Sequence, residues 1–308
     1  MEPGTKVTQP RSAGAPEWTH RPERGSALLM LVLTRLALAV GRSTSHWLLY
    51  PICAYFLVFA PRERKVSREY LRRVLGREPA VRDLFRHLLC FAEVLLDRVY
   101  LVAGRYSHFS VEVHGKSIVD DIAREGRGCL LLGAHLGSFE VPRFLGQEGH
   151  GLPVSLAMYE ETARRMNAVY DALSTGQAMP VIALGKTDSM LRIEEALEQG
   201  RMVGILADRT ISEKGTVRCD FLGAPAALPT GPLRLAAVLG RPVVLMFCVQ
   251  RSTLRYEVFF ERMHAAPTEP GEPRGASLAR SVQAFADRLE HHARLAPYNW
   301  FNFYDFWK

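Results

Sequence analysis

The 308-residue chain has five cysteines, and none forms a C-x-x-C pair or sits at ligand spacing from a histidine. That argues against a structural zinc site. The thiols of Cys53, Cys90, Cys129, Cys219 and Cys248 each lie in or near an apolar run, which suits a reducing compartment. Long apolar runs are also missing: about 20 consecutive apolar residues are needed to cross a bilayer. Ala27–Val40 is interrupted by Thr34 and Arg35, and His46–Ala60 contains Pro51. No short basic start leads into an apolar core with a small-residue cleavage site, so no signal peptide is read. No internal repeat and no G-x-S-x-G nucleophile elbow appears. Net negative charge is absent too. A formal charge of +7 and a pI near 9.3 fit an acidic partner: anionic lipid, acyl carrier protein or nucleic acid. Nucleic acid is set aside, because the basic residues gather beside an apolar hairpin and not among aromatics on a sheet.

What is present divides the chain into three. Residues 1–26, rich in Pro, Gly, Ser and Thr, read as a flexible tail. Within it, Trp18–Ser26 is denser in aromatic and charged residues, as expected of a segment docking near a site, at a membrane interface or as an ordered surface arm. Residues 27–105 read as a membrane-associated helical segment. An apolar hairpin broken at Gly41–Ser45 precedes the basic run Pro61–Arg73, which would face anionic headgroups. That predicts monotopic attachment or a single imperfect span at the cytoplasmic face of the inner membrane; a buried hairpin of a soluble protein is the alternative. From 81 to 102, Leu84, Phe85, Leu88, Phe91, Val94, Leu95 and Val99 follow a helical period. Residues 106–308 alternate strand-like and helix-like segments. Strands are expected at 109–114, 129–133, 153–158, 180–184, 202–207, 216–221, 242–249 and 254–262. Helices are expected at 117–125, 139–147, 161–174, 187–199, 230–240 and 276–295. Such alternation predicts an α/β sandwich around a largely parallel sheet, with no domain linker after residue 105.

The most informative stretch is Gly128–Arg143, GCLLLGAHLGSFEVPR. It reads as a buried strand ending at Gly133, then His135, then a helix opening near Glu140. A histidine there can take a proton from an attacking hydroxyl or amine, while Glu140 orients it and steadies the imidazolium. Gly133 and Gly137 would let backbone approach substrate, with helix-start N–H groups available to an oxyanion. Ser138 reads as a helix N-cap. Asp208-Arg209 follows the strand-like Met202–Ala207. His87, His108, His114, His150 and His291-His292 show no ligand spacing.

His135-Leu-Gly-Ser-Phe-Glu140 resembles the H-x4-[D/E] motif of the glycerolipid and lipid A acyltransferase superfamily. Its glutamate form with a glycine after the histidine is similar to the bacterial lipid A late-acyltransferase branch. A downstream block strengthens the resemblance: Gly204–Arg209, Val217–Gly223 and Leu228–Ala236, in an order and spacing like that branch from about 108 to 262. The resemblance implies the corresponding fold and an acyltransferase with His135 as base and Glu140 as its carboxylate. Asp208 and Arg209 would lie beside the active cleft, with Arg209 binding a phosphate or carboxylate of donor or acceptor; Phe221–Gly223 and Pro229–Gly231 would be the acceptor-side and acyl-side loops, and Gly137 and Ser138 would also meet substrate. Arg164 or Arg165 would lie near a headgroup. It also implies an acyl carrier protein or coenzyme A thioester as donor and a membrane lipid or lipid precursor as acceptor, with no metal and no cofactor. The C-terminus departs from that branch. Its usual basic ending is replaced by Tyr298–Trp307, aromatic at seven of ten positions, which either closes a core or lines an acyl groove and membrane interface. With Trp18–Ser26, this ending resembles a divergent subgroup of predicted acyltransferases. A non-catalytic membrane scaffold of a lipid or polyene synthesis complex is the alternative reading.

Overall fold

A computed structural model describes residues 27–145, 153–159, 180–209, 215–267, 271–273 and 275–307. Trp18–Ser26, Arg164, Arg165 and the expected helix 161–174 lie outside the described residues. Seven strands form the main sheet: β1 (Ser110–His114), β2 (Cys129–Gly133), β3 (Val154–Tyr159), β4 (Val181–Leu184), β5 (Met202–Leu206), β8 (Val243–Ser252) and β9 (Arg255–Met263). Their order is β1-β9-β8-β2-β5-β3-β4. Of the six pairings, the antiparallel one joins β8 to β9 and the others are parallel.

β2 occupies the middle because its five residues carry nothing polar beyond the backbone, which an interior position obliges to pair on both edges. Its side chains alternate between two cores. Leu130 and Leu132 join Val203, Ile205, Leu245, Phe247 and Val249 on one face, while Cys129 and Leu131 join Met202, Val244, Cys248 and Val258 on the other. Nine α-helices are found among the described residues. Helices α3 (Pro61–Leu75), α7 (Ser189–Glu198) and α9 (Ala276–Leu295) cover the first face. Helices α4 (Val81–Val102), α5 (Lys116–Glu125) and α6 (Glu140–Leu145) cover the second. Helix α8 (Gly231–Leu239) leads into β8.

One expected strand has a different setting. Residues 216–221 do form β6 (Thr216–Phe221), but it pairs antiparallel with β7 (Ala224–Pro229) in a separate two-stranded unit packed on α9. The two-residue turn Leu222-Gly223 has positive φ at both positions (51° and 75°), as a tight hairpin requires.

The N-terminal helices are α1 (Ala27–Val40) and α2 (Arg42–Phe59), separated by Gly41 alone, so the expected Gly41–Ser45 turn is shorter. Helix α2 buries its polar side. Arg42 pairs with Asp97 of α4 at 2.9 Å, and His46 meets Glu93 at 2.6 Å. Tyr256 of β9 donates to the other Asp97 oxygen at 2.7 Å, so the buried carboxylate has partners from two other elements, α2 and β9. The apolar side of α2 faces outward: Trp47 is 71 % exposed and Phe59 64 %, with Leu48, Ile52, Tyr55, Phe56 and Val58 also exposed. No described helix is long and apolar enough to cross a membrane.

Candidate active site

Parallel pairing of β2 with β5 sets Gly133 opposite Leu206. Two residues beyond each strand end stand His135 and Asp208, on neighbouring strands about 4.8 Å apart. Ligands of parallel sheets gather at such carboxyl ends. His135 Nδ1 donates to Asp208 Oδ1 at 2.8 Å, and the His135 backbone N–H donates to Asp208 Oδ2 at 3.1 Å. The indole Nε1–H of Trp300 donates to the same Oδ2 at 3.0 Å. Asp208 is fully buried. Burial by itself would raise its carboxyl, but attraction to His135, the His135 hydrogen bonds and the neighbouring Arg209 outweigh that and hold it at about 2. The imidazole shifts down from its ordinary value. Burial disfavours the imidazolium and Arg209 adds to this, against the opposing pull of Asp208. The pair is therefore a carboxylate and a neutral imidazole whose proton sits on Nδ1. Nε2 makes no hydrogen bond to another described residue, and the side chain is 31 % exposed.

Glu140 does not fill the place expected for it. It begins α6, buried, and pairs with Arg98 of α4 at 3.0 Å. The carboxylate on His135 Nδ1 is Asp208, which arrives from a different strand. Asp208 was expected only beside the cleft. Its position after an apolar strand was the available signal, but nothing in the sequence reveals that β5 lies next to β2.

The loop after His135 is held on two sides. Gly137 N–H donates to the Asn299 carbonyl at 2.8 Å, and Ser138 N–H donates to the Cys248 carbonyl at 3.1 Å. These two amides are committed to packing and are not open to an oxyanion. Gly137 has φ +61°, and a Cβ there would fall 1.9 Å from the Cys248 carbonyl oxygen, so its glycine admits β8 and not substrate. Ser138 is buried.

Arg209 donates to the Phe301 carbonyl at 2.6 Å, and its guanidinium lies 5.5 Å from the centre of the Tyr304 ring. Phe221 is fully buried against Trp300, Phe306 and Trp307, which is a core position. Gly223 lies in the hairpin turn, Pro229 pairs with Thr216, and Gly231 opens α8. None of these four touches the His135–Asp208 pair in the contacts above. No three His, Cys, Asp or Glu side chains among the described residues converge to hold a metal ion.

Residues 17–308 match the profile of the family described as "Bacterial lipid A biosynthesis acyltransferase". Among curated proteins, the phosphatidylinositol mannoside acyltransferase of Mycobacterium tuberculosis (strain ATCC 25618 / H37Rv) is 23% identical over 191 residues, 61% of this chain and 57% of that protein. The chain thus spans little more than half the length of the curated relative it matches. With all of its described strands and helices inside the matched region, the chain belongs to the bacterial lipid A biosynthesis acyltransferase family.

Proposed function

We propose that this protein is an acyltransferase that moves a fatty acyl chain from a thioester of acyl carrier protein or coenzyme A to a hydroxyl or amine of a membrane lipid or lipid precursor. The observation that carries the reading is the partly exposed His135 imidazole, its Nδ1 held by the buried Asp208 carboxylate so that Nε2 is the basic nitrogen. Nε2 takes the acceptor's proton as its oxygen or nitrogen attacks the thioester carbonyl. The carbon–sulfur bond then breaks, and the imidazolium returns its proton to the leaving thiolate. Asp208 fixes the Nδ1–H tautomer and steadies the imidazolium without taking a proton. Glu140, paired with Arg98, fastens α6 to α4 at the mouth of the strand ends. The test is lipid mass spectrometry of cells producing wild type or His135→Ala. A lipid gaining one acyl chain with wild type alone supports the reading. Identical lipids with both proteins, each present at equal level, overturn it.

The protein acts from a membrane surface at the cytoplasmic face of the inner membrane. The outward aromatic side of α2 and the basic α3 that follows it support this attachment. Wild type is expected to sediment with anionic vesicles. A variant with Trp47, Phe56 and Phe59 replaced by Ser loses roughly 4 kcal/mol of apolar transfer, about a thousandfold in partitioning. Equal sedimentation of the two proteins would show that α2 is not the anchor.

A further inference from the structure

The aromatic C-terminus is more than a core plug. Trp300 is fully buried, and its main chain as well as its side chain is tied to the loop and strand end that carry His135 and Asp208. Leu136 and Trp300 form an isolated antiparallel bridge. On either side of it the Phe301 N–H donates to the His135 carbonyl at 2.8 Å, and the Gly137 N–H donates to the Asn299 carbonyl at 2.8 Å. The Asn299 side chain in turn accepts from Gln250 N–H at 2.7 Å and donates to the Gln250 carbonyl at 3.1 Å, fixing the segment to β8.

Behind Trp300 stands a second histidine that the proton-transfer scheme does not use. His87 of α4 is fully buried; one ring nitrogen meets Ser67 Oγ of α3 at 2.7 Å and the other meets the Trp300 carbonyl at 3.0 Å. Only a protonated Nε2 can serve that carbonyl, so Nδ1 accepts from Ser67. Burial lowers this imidazole to about 4, against a smaller opposing effect of the Trp300 carbonyl, so it stays neutral. Its ring stacks on Phe301 and Phe303, and Tyr70 packs edge-on to Trp300. Hydrogen bonds therefore link Ser67 to His87, His87 to the main-chain carbonyl of Trp300, and the Trp300 indole to Asp208 and so to His135.

We propose that Trp300, seated by His87 and Ser67, is the positioning residue of the His135–Asp208 pair, and that the C-terminal segment Tyr298–Trp307 is the strap that sets the reactive tautomer. The reason lies in the acceptor geometry of Asp208. Trp300 and the His135 backbone N–H both occupy Oδ2, which leaves Oδ1 aimed at Nδ1. Free imidazole favours the opposite tautomer, with the proton on Nε2. In this site that form would have no basic nitrogen for an acceptor. The groups facing the pair are Arg209 and Tyr304 on one side and His87 and Tyr70, through Trp300, on the other. The positioning role rests on the proposed function of the pair as the reactive centre, whereas the His135 tautomer is a property of the pair itself.

The test is imidazole ¹⁵N NMR on the full-length, histidine-labelled protein, with the His135 signals assigned by their loss in His135→Gln. Two variants are compared: Trp300→Phe, and Trp300 replaced by benzothienylalanine, which keeps the indole shape but has sulfur in place of N–H. Wild type is expected in the Nδ1–H form. With one of the two donors on Oδ2 removed, Asp208 can turn away from Nδ1, so both variants are expected to populate the Nε2–H form beside the Nδ1–H form, with the melting temperature of the sulfur variant close to that of wild type. Where acyl transfer is measurable, kcat drops about tenfold or more with KM little changed. If Trp300→Phe does not fold, the sulfur variant decides alone. A His135 that keeps the wild-type Nδ1–H form in that variant overturns the proposal. Absent acyl transfer with the tautomer shift intact would overturn the functional reading and leave the positioning role standing.

Discussion

Asp208→Asn lowers kcat by about 10³- to 10⁴-fold and leaves KM within about twofold, because it preserves the shape of the site and reverses one hydrogen bond. An asparagine oxygen in the Oδ2 position still accepts from the His135 backbone and from Trp300. Its amide then stands where Oδ1 stood and donates toward Nδ1. The imidazole must carry its proton on Nε2, and the base is gone. A pH profile separates this from a general loss of structure. Neutral His135 is the active form, and burial with help from Arg209 already lowers its pKa below the ordinary histidine value. Wild-type kcat/KM is therefore expected to hold up at pH values below the usual histidine midpoint and to fall only as the imidazole protonates. Asp208 opposes that lowering, so removing its charge moves the acid limb of the residual activity lower still. An unmoved limb, or a variant with near-normal kcat, would mean that Asp208 does not serve His135. Purified protein and steady-state rates across pH 4–8 with an acyl-coenzyme A donor provide the measurement.

That pair also marks how far the sequence can be read. The strand ending at Gly133, the histidine after it and the carboxylate after Met202–Ala207 are all legible as local patterns, because buried parallel strands are short apolar runs bounded by turn residues. Strand order is not local. β2 and β5 are separated by two further strands in the chain, yet lie side by side in the sheet, and the nearer acid, Glu140, takes the more obvious part on sequence spacing alone. The structure gives Glu140 to Arg98 because α6 starts against α4. β7 is missed for a different reason: Ala224–Pro229 contains two prolines and no β-branched residue, so its extended form comes from the positive-φ turn and its partner β6. In the sequence, His87 and His292 show only that they lack ligand spacing. Both are buried, His292 at 2.8 Å from Glu261; a single histidine on a helix carries no mark of which face it occupies.

Gly137→Ala tests whether the loop after His135 is as tightly seated as its contacts require, and Gly76→Ala is its control. Both glycines have φ in the left-handed region, +61° and +65°, where an alanine costs about 1–2 kcal/mol. They differ in surroundings. Gly76 ends α3 with nothing within 4 Å of an added Cβ, so that backbone cost is the whole effect. At Gly137 the methyl group would lie 1.9 Å from the Cys248 carbonyl oxygen and 3.1 Å from the Val249 Cα, both backbone atoms of a central strand that cannot swing aside. The loop must lift off β8, which breaks the Ser138 bond to Cys248 and the Gly137 bond to Asn299. Roughly 4 kcal/mol or more is the expected loss, a large part of the net stability of an ordinary domain. In urea unfolding the Gly137→Ala midpoint should therefore fall far below that of Gly76→Ala, or the protein should not fold at all. Equal, small shifts would mean that the loop gives way at little cost. The His135 carbonyl, bonded to Phe301, would then not be held by the contact with β8, and the dyad would owe its geometry to the C-terminal segment alone.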